Sequence, residues 1–135
     1  MGNSLKIQDA NTLDLENSKQ ESCFVLDFLT ECITVREVIR SRVYQEVKDF
    51  NTRQPDYFKG LVQPTDTERS LNGYRLRQPR QLDWEQQFSK ALQAFENNGF
   101  LILVGEEQLT ELEDEITITP ETTVTFLKLV PLVGG

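Results

Sequence analysis

Apolar residues recur at helical spacing in one stretch of the chain, and this stripe constrains the fold more than any other feature. The stripe consists of Val35, Val38, Ile39, Val43, Val47 and Phe50. Residues three and four apart share one face of a helix. Thr34 and Glu37 have the spacing of a capping box, in which two side chains bond free backbone N–H groups at a helix start. The pattern predicts a helix from about Val35 to Asn51, with its apolar face in the core.

Segments typical of β-strands precede and follow this helix. Before it, the sequence contains LKIQ, LDLEN and a stronger run, SCFVLDFLTE, for which a hairpin or meander is the simplest interpretation. In the final third, FLILV has the length of a buried strand, GEEQ is typical of a turn, and ITITP and TTVTFLKLV alternate and contain β-branched residues. The helix is therefore expected to lie between two groups of strands.

Residues 52–99 follow a different pattern. Proline and glycine interrupt the first part, so we expect a long, partly ordered connection as far as Gln81. Asp83 is placed to cap a second helix, from about Trp84 to Asn97, and Gly99 stands where a helix C-cap belongs.

The same connection is the basic part of the chain. Its positive residues are Arg53, Lys59, Arg69, Arg75, Arg77 and Arg80, against Asp56, Asp66 and Glu68. Arg75, Arg77 and Arg80 are candidates for a partner surface, and with Tyr74 stacking they could bind phosphate or RNA. We favour the alternative, in which this loop packs against the protein's own acidic residues.

Composition excludes several classes of function. The chain has 135 residues, the size of one domain, and no histidine, which removes Ser-His and Cys-His nucleophile pairs and most transition-metal sites. A net charge of -8 argues against binding nucleic acid or anionic lipid over the whole surface. Cys23 and Cys32 are expected to be reduced and structural. No apolar run suits a membrane span or a signal peptide, so we expect a cytoplasmic protein.

The final third is strongly acidic. Its carboxylates are Glu106, Glu107, Glu111, Glu113, Asp114, Glu115 and Glu121. They surround predicted turns and have no histidine or nucleophile near them, so we interpret them as a solvated face rather than as catalytic acids and bases. A docking surface for a basic partner protein is a further alternative.

The sequence ends in LVPLVGG. Proline has no amide hydrogen, so the last strand should end near Val130 and Pro131–Gly135 should project from the sheet. Five extended residues span about 17 Å. That length is enough to enter the cleft of another protein while the folded part stays outside.

These features together resemble the ubiquitin-like proteins. The segment from Phe100 to Gly135 is similar to the closing half of that family, and especially to the prokaryotic sulfur carriers of molybdopterin and thiamine synthesis; residues 24–51 match more loosely. The resemblance implies an α+β, β-grasp fold, with a mixed sheet packed on one main helix. Residues 52–99 depart from the family and are interpreted as an insertion carrying the second helix, within a single domain of residues 1–135.

The resemblance also implies a function. In proteins of this family, an activating enzyme uses ATP to adenylate the C-terminal carboxylate, which here would be that of Gly135. The carboxylate would reach the ATP through a narrow channel of that enzyme, and Gly134 and Gly135 suit such a channel because glycine has no side chain. Pro131, Leu132 and Val133 would be read by that enzyme. The chain itself is expected to be neither an enzyme nor a binder of metal or cofactor, and to have no membrane partner.

Three functions remain open on this basis. We favour a bacterial protein modifier joined to targets by isopeptide bonds, with a conjugating enzyme and an isopeptidase as further partners. The first alternative is a sulfur carrier with a C-terminal thiocarboxylate. The second is a β-grasp binding module in which the tail has no role.

Overall fold

The computed structural model describes residues 3–11 and 22–128. In this part the chain is α+β, with two helices and nine strands. The strands are β1 (Asn3–Asn11), β2 (Ser22–Phe28), β3 (Cys32–Thr34), β4 (Thr67–Ser70), β5 (Gly73–Leu76), β6 (Phe100–Val104), β7 (Glu107–Leu109), β8 (Glu115–Thr117) and β9 (Thr123–Lys128). The helices are α1 (Val35–Arg53) and α2 (Trp84–Glu96). The described residues divide into two compact units, one formed by those within 1–36 and 95–135 and the other by residues 37–94.

The first unit contains a five-stranded mixed sheet in the order β2-β1-β9-β6-β7. Strand β1 is antiparallel to β2 and parallel to β9, and β9 is antiparallel to β6. Strand β9 is therefore central, with Ile7 beside Val124 on one side and Ile102 beside Phe126 on the other. LKIQ and SCFVLDF are thus antiparallel neighbours, as the hairpin or meander interpretation predicts for these two stretches.

Alternation along these strands explains the core of the first unit. Leu5 and Ile7 of β1 are completely buried, whereas Ser4 and Lys6 between and beside them are exposed, because successive side chains of a strand point to opposite faces. Further along the sheet, the Phe100 ring packs between Phe95 and Phe126, at centroid distances of 5.9 Å and 5.7 Å. Each fully buried side chain of this kind contributes about 1.5–3 kcal/mol through removal of apolar surface from water.

The start of α1 is held by the loop before β8. The backbone N–H groups of Val35 and Arg36 donate to the carbonyl oxygens of Asp114 (2.9 Å) and Leu112 (3.0 Å). These are groups that a helix leaves without intrahelical partners. The Asp114 carboxylate accepts the N–H groups of Thr110 and Glu111, which fixes the loop.

The predicted stripe of α1 is confirmed. Its residues Val38, Ile39, Val43, Val47 and Phe50 are all buried in the second unit. The helix extends two residues beyond the predicted end at Asn51.

The prediction for α2 is confirmed except at its end. The Asp83 carboxylate accepts the N–H of Glu85 at 3.0 Å, as expected of an N-cap. The helix ends at Glu96, and Asn98 rather than Gly99 takes the left-handed conformation, with φ of 60°. Asparagine tolerates this conformation because its short polar side chain bonds locally, so the assignment of Gly99 as C-cap is wrong.

The connection between the helices is more regular than predicted. It contains the antiparallel hairpin of β4 and β5, with Glu68 opposite Arg75. Side chains of the helices bond its backbone: Asn51 both donates to and accepts from Leu82, and Gln87 donates to the carbonyl of Val62. These bonds order a segment that has no apolar periodicity of its own.

The remaining predictions concern the strands of the final third, the turn between them and the two cysteines. FLILV forms β6, and the alternation in ITITP is confirmed because Ile116 and Ile118 are buried. Only the first half of GEEQ is a turn, since Glu107 and Gln108 belong to β7. Cys23 and Cys32 are free, in agreement with the expectation that they are reduced, but both are exposed, so neither is part of the core. The LDLEN segment and the predicted strand end near Val130 lie outside the described residues.

Candidate functional site

The site predicted at the end of the sequence lies outside the described residues. It comprises Pro131, Leu132, Val133, Gly134 and Gly135. The last described residue, Lys128, ends β9 and pairs with Phe100 of β6 and Asn11 of β1. The predicted tail is thus continuous in sequence with the central strand of the sheet.

The second predicted site, the arginines of the connection, divides into two places. Arg75 and Arg77 line one groove, and Arg77 and Arg80 line another. Arg80 is half-buried and donates a hydrogen bond to the carbonyl of Thr65. One of the three arginines therefore supports the fold of the connection, and the other two are exposed.

The groove beside Arg75 and Arg77 has a volume of about 620 Å³. Its other lining residues are Phe50, Gln54, Pro55, Asp56, Glu68, Leu76 and Pro79. It is an open groove of mixed character, in which four apolar residues stand among one amide and charges of both signs. Pockets of about 300–1,000 Å³ are typical of small-ligand sites, so this groove is large enough for two or three residues of a peptide.

The strand that contains Arg75 and leads into Arg77 is fixed to the rest of the second unit. The Phe58 N–H donates to the Tyr74 carbonyl at 2.8 Å, and the Tyr74 N–H donates to the Phe58 carbonyl at 2.9 Å. Beside this pair, Gly73 has φ of 124°, and a Cβ there would lie 2.8 Å from the Phe58 carbonyl oxygen. Glycine is required at this position by both its φ and its close approach.

This anchoring changes the interpretation of Tyr74. Its backbone is paired with Phe58 and its side chain is half-buried. A stacking platform for bases uses an exposed aromatic face. We therefore do not retain Tyr74 as part of a nucleic-acid site.

The acidic residues of the final third are arranged as expected for a solvated face. Glu106, Glu107, Glu111, Glu113, Glu115 and Glu121 are exposed. Asp114 holds the loop at the start of α1, and Glu113 bonds Arg36 at 2.6 Å. Within residues 3–11 and 22–128, no group of His, Cys, Asp or Glu is arranged to hold a metal ion.

Sequence reasoning missed the apolar lining contributed by Phe50, Pro55, Leu76 and Pro79. The signal that could have located the groove is Gly73, since glycine readily takes the positive φ, here 124°, that follows the Leu71–Asn72 turn of this hairpin. A hairpin at this point places residues 68 and 75 side by side and gives the groove a rigid wall.

Comparison with known proteins adds no assignment: no protein-family model, curated protein or solved structure matches the chain. The resemblance to ubiquitin-like proteins therefore rests on the residues of this sequence. Neither α1 nor α2 is long and apolar enough to cross a membrane, and no other helix occurs among the residues described.

Proposed function

We propose that the chain is a ubiquitin-like modifier with a β-grasp fold, whose Gly135 carboxylate is activated by a partner enzyme and conjugated to target proteins. The observation that carries the proposal is the position of β9. It is the central strand of a mixed sheet, lies parallel to β1, and runs directly into LVPLVGG. In a β-grasp protein the last strand lies parallel to the first at the centre of the sheet, so the order β2-β1-β9-β6-β7 supports this fold.

A central strand is a suitable base for a reactive tail. Hydrogen bonds on both sides hold β9 in the sheet, so a partner can pull on residues beyond it without unfolding the strand. Pro131 cannot extend the pairing because it lacks an N–H group. The last residues are then available to a cleft, and Gly134 and Gly135 offer no side chains that would obstruct a narrow channel.

The proposed chemistry takes place in the partner enzymes. The Gly135 carboxylate attacks the α-phosphate of ATP and expels pyrophosphate, which leaves an acyl adenylate. A cysteine thiol of the partner displaces AMP to form a thioester, and a lysine amine of the target displaces the thiol to form an isopeptide bond. The chain itself is then substrate and signal, with no catalytic residue and no bound cofactor, and acts in the cytoplasm, where ATP is available.

The size of the chain favours a modifier over a sulfur carrier. Carriers of the resembled family are small, whereas this chain has a second compact unit, residues 37–94, with two ordered grooves. In a carrier, sulfide rather than an amine would receive the acyl group, and the product would be a thiocarboxylate at Gly135.

Deletion of Gly135 tests the proposal. The wild-type chain, tagged at its N-terminus and isolated from its native cell under denaturing conditions, should give a ladder of larger species on a blot. The variant without Gly135 should give only the free protein, because its terminal carboxylate, now on Gly134, falls one residue short of the active site of the activating enzyme. Glu121→Gln, at an exposed turn before β9, is the matched control and should retain the ladder.

Intact masses separate the outcomes. A wild-type mass that ends at Gly135, with a ladder that the deletion abolishes, supports the modifier. A single species in which one oxygen is replaced by sulfur means a carrier instead. If deleting Gly135 leaves the ladder unchanged and lowers the masses only by one glycine residue, the tail has no role and the proposal is wrong.

A further inference from the structure

Charge is divided unevenly between the two compact units. Residues 37–94 contain ten Lys and Arg against eight Asp and Glu, a net charge of +2. The remainder of the chain has four Lys and Arg against fourteen Asp and Glu, a net charge of -10. The second unit is therefore the part of this acidic protein where a group of negative charge can bind.

Arg75 and Arg77 are among the positive charges of this unit that no internal bond to a described residue engages. Several of the others form internal bonds: Arg42 pairs with Glu46, Arg80 bonds Thr65, and Lys90 bonds Thr65 and the carbonyl of Gln63. In contrast, the side chains of Arg75 and Arg77 are exposed and form no hydrogen bond or ion pair with any residue that the structure describes. Exposed guanidinium groups with free donors suit carboxylate binding, because their planar fork matches the two carboxylate oxygens.

The two arginines stand beside an apolar surface. They line the groove of about 620 Å³ together with Phe50, Leu76 and Pro79. Phe50 is held against Phe58, with ring centroids 5.4 Å apart and planes at 86°. An apolar side chain of a bound ligand would be shielded from water here, while a neighbouring carboxylate of the same ligand could bind the arginines.

The groove is also preformed. Its wall is β5, which the two bonds between Phe58 and Tyr74 attach to the neighbouring segment, and the Arg77 N–H donates to the Asp66 carbonyl at 3.3 Å. A rigid wall reduces the conformational entropy lost on binding, which is a main cost of peptide recognition.

We propose that this groove is a binding site for a short peptide segment of a partner protein, in which an apolar side chain stands next to one or two carboxylates. The apolar side chain packs on Phe50, Leu76 and Pro79, and the carboxylates bind Arg75 and Arg77. Asp56 and Glu68, also in the lining, accept hydrogen bonds from the peptide backbone. The site is independent of the tail, and a chain lacking Gly135 binds equally well.

Charge favours a short acidic peptide over a nucleic acid. A phosphodiester backbone carries a charge at every nucleotide and would meet Asp56 and Glu68 in the groove and the net charge of -10 beyond residues 37–94. One or two carboxylates, held close to two arginines, meet much less of that repulsion.

The test uses the full chain and a fluorescein-labelled synthetic peptide with the sequence Gly-Glu-Leu-Phe-Glu-Gly, followed by fluorescence anisotropy. Saturable binding is expected, with a loss of about tenfold in affinity in the double variant Arg75→Gln, Arg77→Gln, since each charged hydrogen bond contributes appreciably. The matched control is Arg53→Gln, Arg69→Gln, which removes the same charge from exposed positions outside the groove and should bind like the wild type.

Other outcomes overturn the proposal. No saturable binding rejects it, as does an equal loss in both double variants, which would mean attraction by bulk charge. Equal binding of a peptide with Gln in place of Glu rejects the role of the carboxylates. Displacement of the peptide by a single-stranded RNA oligonucleotide at lower concentration than by unlabelled peptide would assign the groove to nucleic acid instead.

Discussion

Gly60 lies where the ring of Phe58 leaves no room for a side chain. A Cβ at this position would be 2.1 Å and 2.3 Å from two atoms of the ring. The ring is 2% exposed and packs edge-to-face on Phe50, so it cannot simply rotate into solvent. The conformation of the connection after α1 thus depends on one residue without a side chain.

We expect Gly60→Ala to lower the free energy of unfolding by about 1–3 kcal/mol through overpacking. Urea denaturation measures this loss, and Phe58→Leu in the same background should recover part of it. Gly105 provides the comparison, because it has φ of 63° but a Cβ added there would have no atom within 4 Å. Gly105→Asn should therefore be tolerated, and a Gly60→Ala protein as stable as wild type would contradict the packing described.

Residue-scale contacts also explain why the basic cluster was only partly predictable. Arg75, Arg77 and Arg80 are close in sequence and equal in charge. The carbonyl of Thr65, fifteen residues away, accepts a bond from Arg80 and leaves the other two exposed. A sequence gives the charge of such a cluster, but the distant backbone group that removes one member from it appears only in the fold.

At the scale of elements, the sequence predicts those helices and strands whose formation depends on residues close together in the chain. The stripe of α1, the Asp83 cap of α2 and the apolar run of β6 are each encoded within a few neighbouring residues. The hairpin of β4 and β5 was missed because its strands TERS and GYRL lack apolar alternation, and only Thr67 of their residues is buried. The hairpin is held in place by the backbone bonds between Phe58 and Tyr74. These residues are sixteen positions apart, so the pattern within a single strand does not reveal the contact.

One buried ion pair joins α1 to the connection. Arg42, with a side chain 2% exposed, donates from Nε to Glu46 Oε2 at 2.9 Å, and Glu46 Oε1 accepts the Leu61 N–H at 3.0 Å. A buried charge without its partner is strongly destabilising. The pair therefore contributes to the position of the chain at Leu61 as well as to α1 itself.

Glu46→Gln should lower the free energy of unfolding by about 3 kcal/mol, because it removes the carboxylate that Arg42 Nε bonds in this buried position. The matched control is Glu113→Gln in the exposed pair with Arg36, for which the expected loss is at most about 1 kcal/mol. In a double-mutant cycle, Arg42→Met combined with Glu46→Gln should lose less than the sum of the single variants. Equal losses at Glu46 and Glu113 would show that burial does not strengthen the pair.

At the scale of the whole molecule, the central pairing of β1 with β9 joins residues more than a hundred positions apart. No periodicity specifies such a partner, and only the resemblance to ubiquitin-like proteins led to an expectation of a mixed sheet. The charge of the whole chain, in contrast, is readable from the sequence alone. Its uneven division between residues 37–94 and the remainder becomes visible once the two compact units are known.

This division predicts how salt affects stability. Crowding a net charge of -10 outside residues 37–94 opposes compaction by self-repulsion. The Debye length falls from about 30 Å at 10 mM to about 8 Å at 150 mM ionic strength, so NaCl over this range should raise Tm by ~2–5 °C. Thermal unfolding followed by circular dichroism measures the shift.

Two charge variants make the salt response specific to this cause. Removing two exposed negative charges with Glu106→Gln and Glu121→Gln should raise Tm at 10 mM and reduce the response. Removing one exposed positive charge from the same part of the chain with Lys6→Gln should do the opposite. If both variants respond to NaCl as the wild type does, the salt response does not come from relief of self-repulsion. The ions would then act on a specific ion pair such as Arg36 and Glu113. Glu113→Gln tests this explanation, because it removes that pair alone.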